Sequence, residues 1–181
     1  MSHNLNVALK PLQPDDRELF IRDNQWSFKY GALLEFGRRD DHFEEDGEII
    51  SRQTIEQTID SGIAYRIWLD GKIVGGAVIK TQDNRGWLEL LFVDPEEHSK
   101  GIGYAAWRAI EAMHPQIEIW ETCTPYFEKR NIHFYVNRCG FHIVEFYNSH
   151  HRDPNESSDN SALQDDCEMF RFEKIMRQIQ G

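Results

Sequence analysis

The residues with the most chemical content lie at 90–106, where L-L-F-V-D-P-E-E-H-S-K-G-I-G-Y-A-A passes from an apolar run through a polar loop into a helix. Leu88, Leu90 and Phe92 alternate with Glu89, Leu91 and Val93, the period of a mostly buried strand. Pro95 has no N–H to give a ladder and stops it. Gly101 and Gly103 then stand where backbone can approach a ligand closely, and 104–113 supplies good helix formers without proline. The first N–H groups of a helix have no partner within it and carry partial positive charge. A pyrophosphate can be held there by backbone alone.

Two other readings fit the same glycines. A tight strand-to-helix turn that binds nothing satisfies Gly-x-Gly equally. Gly101, Gly103 and Ala106 also fit G-x-G-x-x-A, and Glu121 follows about where a dinucleotide-binding fold keeps its ribose acid. Against that stand the intervening D-P-E-E-H-S-K and the hairpins, rather than a parallel sheet, that precede the strand.

These residues need a scaffold, and 181 residues with 40% hydrophobic content provide one good core and a single domain over 1–181, its centre at about 7–174. The formal charge of −11, without a lysine or arginine cluster, argues against nucleic acid or an anionic membrane and favours a cationic amine. The N-terminal residues carry neither a signal pattern nor a spanning run, so a cytoplasmic protein is expected. Cys123, Cys139 and Cys167 are too scattered for a disulfide framework or a thiolate zinc site and read as reduced structural thiols. His150 and His151 lack a partner at helical spacing, and no metal is expected.

In order, 7–12 reads as an edge strand and 15–34 as a helix. Of its aromatic residues and their neighbours, Trp26, Phe28, Tyr30 and Phe36 are core candidates first and a substrate wall second. A charged loop at 37–48 is a solvated connector or an acidic rim. Ser51 caps a helix over 51–60 that Gly62 closes. Asp70-Gly71 joins strands 64–69 and 72–80 as a hairpin, and Gly75-Gly76 marks a bulge or a close backbone contact. A turn at 83–86 leads to the strand at 87–93. After the helix at 103–113 come a strand at 117–121, a helix at 126–139, a strand at 141–147, a polar loop at about 148–165, a strand at 169–172 and a tail at 175–181. Positions 127, 130, 131, 134 and 135 neighbour one another on the second of these helices. The class is α/β (α+β), a mixed, mostly antiparallel central sheet flanked by helices.

H-S-K-G-I-G after F-V-D-P, then helix, strand and a helix ending N-R-C-G-F, resembles the GNAT superfamily of acyl-CoA-dependent N-acetyltransferases. The element order matches over about 7–172, and the specific motifs occupy 88–106 and 131–141. The resemblance implies acetyl-CoA as cosubstrate. It places the pantetheine and acetyl groups against the backbone of Phe92 and Val93, and pyrophosphate against Ser99, Lys100, Gly101, Ile102, Gly103 and Tyr104. His98 stands where the family has glutamine or arginine, a departure that leaves one side-chain hydrogen bond and the charge of Lys100. Asn131 matches the asparagine that meets the pantetheine arm, and Tyr135 resembles the tyrosine that protonates the leaving thiolate. The spacing from Asn131 to Gly140 is shorter than the family's, so a structural phenol at Tyr135 fits as well.

The reaction implied is transfer of acetyl to a primary amine of a small molecule or peptide by direct attack. It also needs a base. Glu89 is the candidate: alternation puts it on the side of Leu91 and Val93, and enclosure by Trp87, Leu88 and Leu90 would raise its pKa. A surface or salt-bridged acid is the other reading of Glu89, and Glu121 is the reserve. A homodimer is compatible with the sequence. The alternative function is a regulatory module that binds acyl-CoA without turnover.

Overall fold

The computed structural model describes residues 5–36, 47–98, 100–155 and 168–176. Ser99, Cys167, most of the charged loop, the greater part of the polar loop and the tail beyond 176 lie outside the described residues. The elements are β1 (Val7–Pro11), a 3-10 turn (Pro14–Asp16), α1 (Arg17–Phe36), α2 (Arg52–Ser61), β2 (Ile63–Leu69), β3 (Lys72–Gln82), β4 (Arg85–Val93), a 3-10 turn (Pro95–Glu97), α3 (Ile102–Met113), β5 (Ile119–Pro125), α4 (Lys129–His133), β6 (His142–Tyr147) and β7 (Met169–Ile175). They fall into two compact units, Met1–Ile117 and Glu118–Gly181. No helix among the described residues is long and apolar enough to cross a membrane.

In the first unit β1 to β4 form an antiparallel meander in chain order. Asp70 and Gly71 both take positive φ, at 50° and 80°, which is the backbone that a two-residue hairpin turn demands. Alternation along β4 sends its side chains to two helical layers. Leu90 and Phe92 join Phe20 and Ile21 of α1 and Ile55 of α2 on one face. Leu91 and Val93 pack with Ile102 and Ala106 of α3 on the other. Ser51 caps α2 as expected, its hydroxyl accepting from the Thr54 N–H at 3.0 Å.

Gly75 and Gly76 make the close approach that their positions suggested. A Cβ on Gly75 would lie 2.2 Å from the Phe92 carbonyl oxygen, and one on Gly76 would meet the rings of Phe20 and Phe92 at 2.4 and 2.7 Å. The irregularity in the β2–β3 pairing falls beside them, where Ile67 faces Gly75 and Trp68 faces Ile73. Only the absence of side chains lets β3 lie under the end of β4.

In the second unit β7 pairs antiparallel with both β5 and β6. Three expected boundaries move: β7, expected over 169–172, runs on to Ile175. The strand anticipated at 117–121 runs instead over Ile119–Pro125, because Thr122 to Pro125 find ladder partners in Phe172 to Met169. The helix anticipated at 126–139 begins at Lys129 and widens into a π-helix over Phe134–Cys139 before Gly140, at φ 80°, ends it. Trp120, Phe141 and Phe172 are fully buried, with Tyr135 packed among them.

The same unit carries a charged ladder. Arg171 Nη1 meets Glu121 at 2.6 Å and Glu173 at 2.7 Å, while its Nε meets Glu145 at 2.8 Å. Glu145 also takes His151 Nε2 at 2.8 Å and the Tyr147 hydroxyl at 3.1 Å. His151, then Arg171, hold the Glu145 carboxyl down to a pKa of about 2. A carboxylate lowered in the folded state stabilises above its ordinary pKa, and that contribution is lost as pH falls through the folded value. Melting temperatures recorded from about pH 5 down to about pH 2 should therefore fall less steeply in Glu145→Gln than in the parent. Parallel slopes would deny the carboxylate this part.

Candidate functional site

The end of β4, the turn after it and the start of α3 make one continuous structure. Asp94 donates its N–H to the Val74 carbonyl at 2.8 Å and accepts from Glu96 N at 3.0 Å, which fixes the 3-10 turn. His98 turns back on the strand: its Nε2 lies 2.9 Å from the Val93 carbonyl oxygen, and its ring stands edge-on to Tyr30 at 5.8 Å. A carbonyl can only accept, so that nitrogen carries the proton. His98 Nδ1 is buried and without a hydrogen-bond partner. The side chain at the family's glutamine or arginine position holds the loop to the strand end.

Gly101 is the N-cap of α3 with φ 80° and ψ 10°, and among the described residues no side chain caps the helix. The contrast with α2 is informative: the same chain closes that helix with Ser51. Ile102, 1% exposed, anchors the first turn in the core, so Ile102 and Gly103 present backbone N–H groups at the helix start while the apolar side chain faces inward. The start of a 12-residue helix is thereby left open for an anion. Lys100 contributes less than its proximity suggested, since its Nζ lies 2.6 Å from Glu97, which Lys72 also reaches at 3.1 Å. Lys72 and Lys100 share that one carboxylate, and Asp94 and Glu96 add negative charge in the same loop.

Of the remaining expected residues, Phe92 is buried and packs its ring against Phe20 at 5.0 Å, leaving its backbone to act. Leu88 pairs with Ile79 and Leu90 with Val78, so Glu89 between them is the bulged residue of β4, and the alternation expected to carry it to the side of Leu91 and Val93 is interrupted there. The apolar enclosure expected for it is missing: Glu89 is exposed and pairs with Lys80 at 3.4 Å. Because Ile79 and Val78 are adjacent on β3, Leu88 and Leu90 face opposite sides of the sheet and do not wall one side of Glu89 together. In the second unit Asn131 Nδ2 donates to Thr124 Oγ1 at 3.3 Å, and Tyr135 hydrogen-bonds with Thr122. Thr122 and Thr124 are two apart on β5, so both side chains of the second motif reach one face of that strand. Asn131 is exposed and Tyr135 buried. Burial pushes the Tyr135 phenol far above its ordinary pKa, which keeps its proton in place at neutral pH. Glu121, the reserve acid, is buried and already bound by Arg171.

Sequence reasoning missed three buried polar residues. On α1, Phe20, Asn24 and Ser27 form one inward stripe at i, i+4 and i+7, and both polar members are at least nine-tenths buried. The carboxamide of Asn24 and the hydroxyl of Ser27 have no hydrogen-bond partner. Polar residues in the apolar phase of a helix were the available signal. Arg66 on β2 is 3% exposed, bound by Asp16 and, at 3.1 Å, by Asp23, with its guanidinium over the Phe20 ring at 5.2 Å. Among the described residues no cluster of three histidine, cysteine or acidic side chains is placed to hold a metal.

The model of the Acetyltransferase (GNAT) family matches residues 19–141. The protein YrkN of Bacillus subtilis (strain 168), described as uncharacterized, is 45% identical over 179 residues, which cover 94% of each chain. Among solved structures, an acetyltransferase from Thermus thermophilus superposes with a TM-score of 0.65 at 17% identity, covering 96% of this chain and 99% of its own. A Bacillus subtilis acetyltransferase in complex with CoA gives 0.60 at 17% identity, with coverage of 96% and 99%. At these identities the structures speak for the fold, and they show the mixed α/β class expected from the element order.

Proposed function

Since the chain belongs to the GNAT acetyltransferase family, we propose that it transfers acetyl from acetyl-CoA to a primary amine, as one domain built from both units. The observation that carries this reading is the uncapped start of α3 at Gly101, directly beyond a strand end whose side chains face inward. Acetyl-CoA supplies the acyl group as a thioester. The N–H groups of Ile102, Gly103 and Tyr104 hold the pyrophosphate, with Ser99 and the partly neutralised Lys100 beside them. The backbone of Phe92 and Val93 positions the pantetheine arm and the carbonyl, and His98 keeps that strand end attached to the loop through Val93. Asn131 binds the pantetheine arm, and Tyr135 gives its proton to the departing sulfur.

Glu89 takes the proton of the amine through water. Its pairing with Lys80 at 3.4 Å is loose and solvent-facing, whereas Glu121 is tied at 2.6 Å to Arg171 in the core of the ladder. A free, wetted carboxylate exchanges protons more readily than one already spent on a buried cation.

Thermal unfolding with CoA, acetyl-CoA and NAD tests the cradle. A ligand at a hundred times its Kd adds about 2.7 kcal/mol, or roughly 5–10 °C for a chain of this size. The two CoA forms should give that shift and NAD none. Gly101→Ala, which forces a Cβ into the left-handed region, should cost about 1 kcal/mol unliganded and shrink the shift severalfold. An equal response to NAD, or no response to CoA, would remove the cradle. A CoA shift with no free thiol released from acetyl-CoA by any amine leaves a binding module instead of an enzyme.

A further inference from the structure

Beside the proposed thioester position, and wholly within the first unit, a cleft is lined by Asp23, Trp26 and Ser27 of α1, Val74 and Gly75 of β3, and Phe92, Asp94 and Pro95 around the end of β4. We infer that this cleft holds a second, non-reacting ammonium group of the acceptor, so that the preferred substrate is a diamine. The inference rests on the acetyl-transfer reading above and adds the substrate class.

Charge is the first support. Arg66 is neutralised twice, by Asp16 and Asp23, so two carboxylates meet one guanidinium and leave a negative charge over. Asp94 adds another at the same rim. Of the other cations, Arg22 lies 3.5 Å from Asp23 with its side chain 72% exposed and is easily displaced, and Lys72, which also feels Asp94, is held by Glu97 at 3.1 Å. The second support is independent of charge. Ser27 lines the cleft, is 6% exposed, and its hydroxyl has no hydrogen-bond partner. Buried hydroxyls are nearly always satisfied, so an unmet one in a cleft wall signals a donor that arrives with a ligand. The Asn24 carboxamide, unmet and fully buried one turn earlier on the same stripe, adds to the deficit.

An ammonium fits this demand: three N–H donors suit the Ser27 oxygen and the two carboxylates. Trp26, 52% exposed and leaning on Tyr30 at 6.0 Å, offers a ring face to the charge. The reacting nitrogen cannot be the one held here. Attack on a thioester needs a neutral amine, and adjacent carboxylates keep an amine protonated. The group in the cleft is therefore a distal cation that orients the acceptor, and Gly75, paired with Val93 in the ladder, puts it next to the strand end.

Calorimetric titration of CoA-loaded protein with 1,4-diaminobutane and with 1,4-butanediol compares two ligands of one shape and different charge. The diamine should bind at least tenfold more tightly. That advantage should fall at least fivefold in Asp23→Asn and in Trp26→Leu, and stay unchanged in Asp83→Asn, which removes the same charge from the exposed β3–β4 turn. Trp26→Leu alters a half-exposed side chain and remains folded even if Asp23→Asn disturbs Arg66. Equal affinity for diamine and diol, no binding of either, or an equal loss in Asp83→Asn overturns the inference. In steady-state acetylation kcat/KM for 1,4-diaminobutane should exceed that for butylamine at least tenfold, and transfer without this preference also overturns it. Diamine binding without acetylation of any amine would instead sink the transfer reading and leave the cation cleft standing.

Discussion

Gly75→Ala should destabilise the fold by at least about 3 kcal/mol, the upper end of the overpacking range, because the added methyl meets backbone and has no rotamer to escape into. The obstacle is the Phe92 carbonyl oxygen, 2.2 Å from the position the Cβ would take, with Val93 Cα at 3.1 Å. Relief requires β3 and β4 to part at the point where Gly75 pairs with Val93, and the end of β4 is where the thioester is proposed to lie. Loss of stability and loss of CoA-dependent stabilisation should therefore appear together. Gly31→Ala is the matching control. Gly31 sits inside α1 with nothing within 4 Å of its would-be Cβ, so the same substitution should stabilise by about 0.5–1 kcal/mol through helix propensity. Denaturant midpoints of the two variants should move in opposite directions. A Gly75→Ala protein as stable as its parent would mean that the strand end is looser than its geometry.

Tyr135→Phe should lower kcat roughly a hundredfold, the usual contribution of a positioned general acid, and leave KM for acetyl-CoA nearly unchanged. The ring is retained among Phe134, Phe141 and Phe172, so packing survives, and the lost hydrogen bond with Thr122 costs only about 1 kcal/mol. The phenol's raised pKa means that the parent remains protonated, and so able to donate, across the whole neutral range. Glu89→Gln should instead lower kcat with stability nearly unchanged, with Glu121→Gln acting through stability because it removes one of the three carboxylates on Arg171. An unchanged kcat in Tyr135→Phe would make the residue structural, the other reading its burial allows.

The parts of the fold that could be read in advance are those decided locally. Asp70-Gly71 has few backbone options, and both residues take the positive φ that their types favour. Ser51 caps with its own third neighbour, and Gly101 before a run of helix formers could be placed from spacing alone. What escaped was decided by distant partners. β5 continues through Thr122, Cys123 and Thr124 because β7 supplies a ladder some fifty residues later, and nothing in those polar types announces it. Arg66 is buried because Asp16, fifty positions earlier, meets it. Glu89 illustrates the reverse error: strict alternation assumes an unbroken ladder, and the β3–β4 pairing bulges at this residue. The widening at Phe134–Cys139 depends on how the helix meets β5 and β6, which no window of that length contains.

Glu97 has a consequence for how affinity is measured. It holds Lys72 at the start of β3 and Lys100 on the approach to α3, two exposed ion pairs meeting on one carboxylate. Added electrolyte screens such pairs within about 10 Å at 0.1 M. It also screens the attraction of Lys72 and Lys100 for a phosphate. Ionic strength thus acts twice on one event, loosening the approach to the cradle and weakening what the cradle attracts. Affinity for CoA should consequently fall with added salt, and Lys72→Met should flatten that dependence from a position outside the cradle.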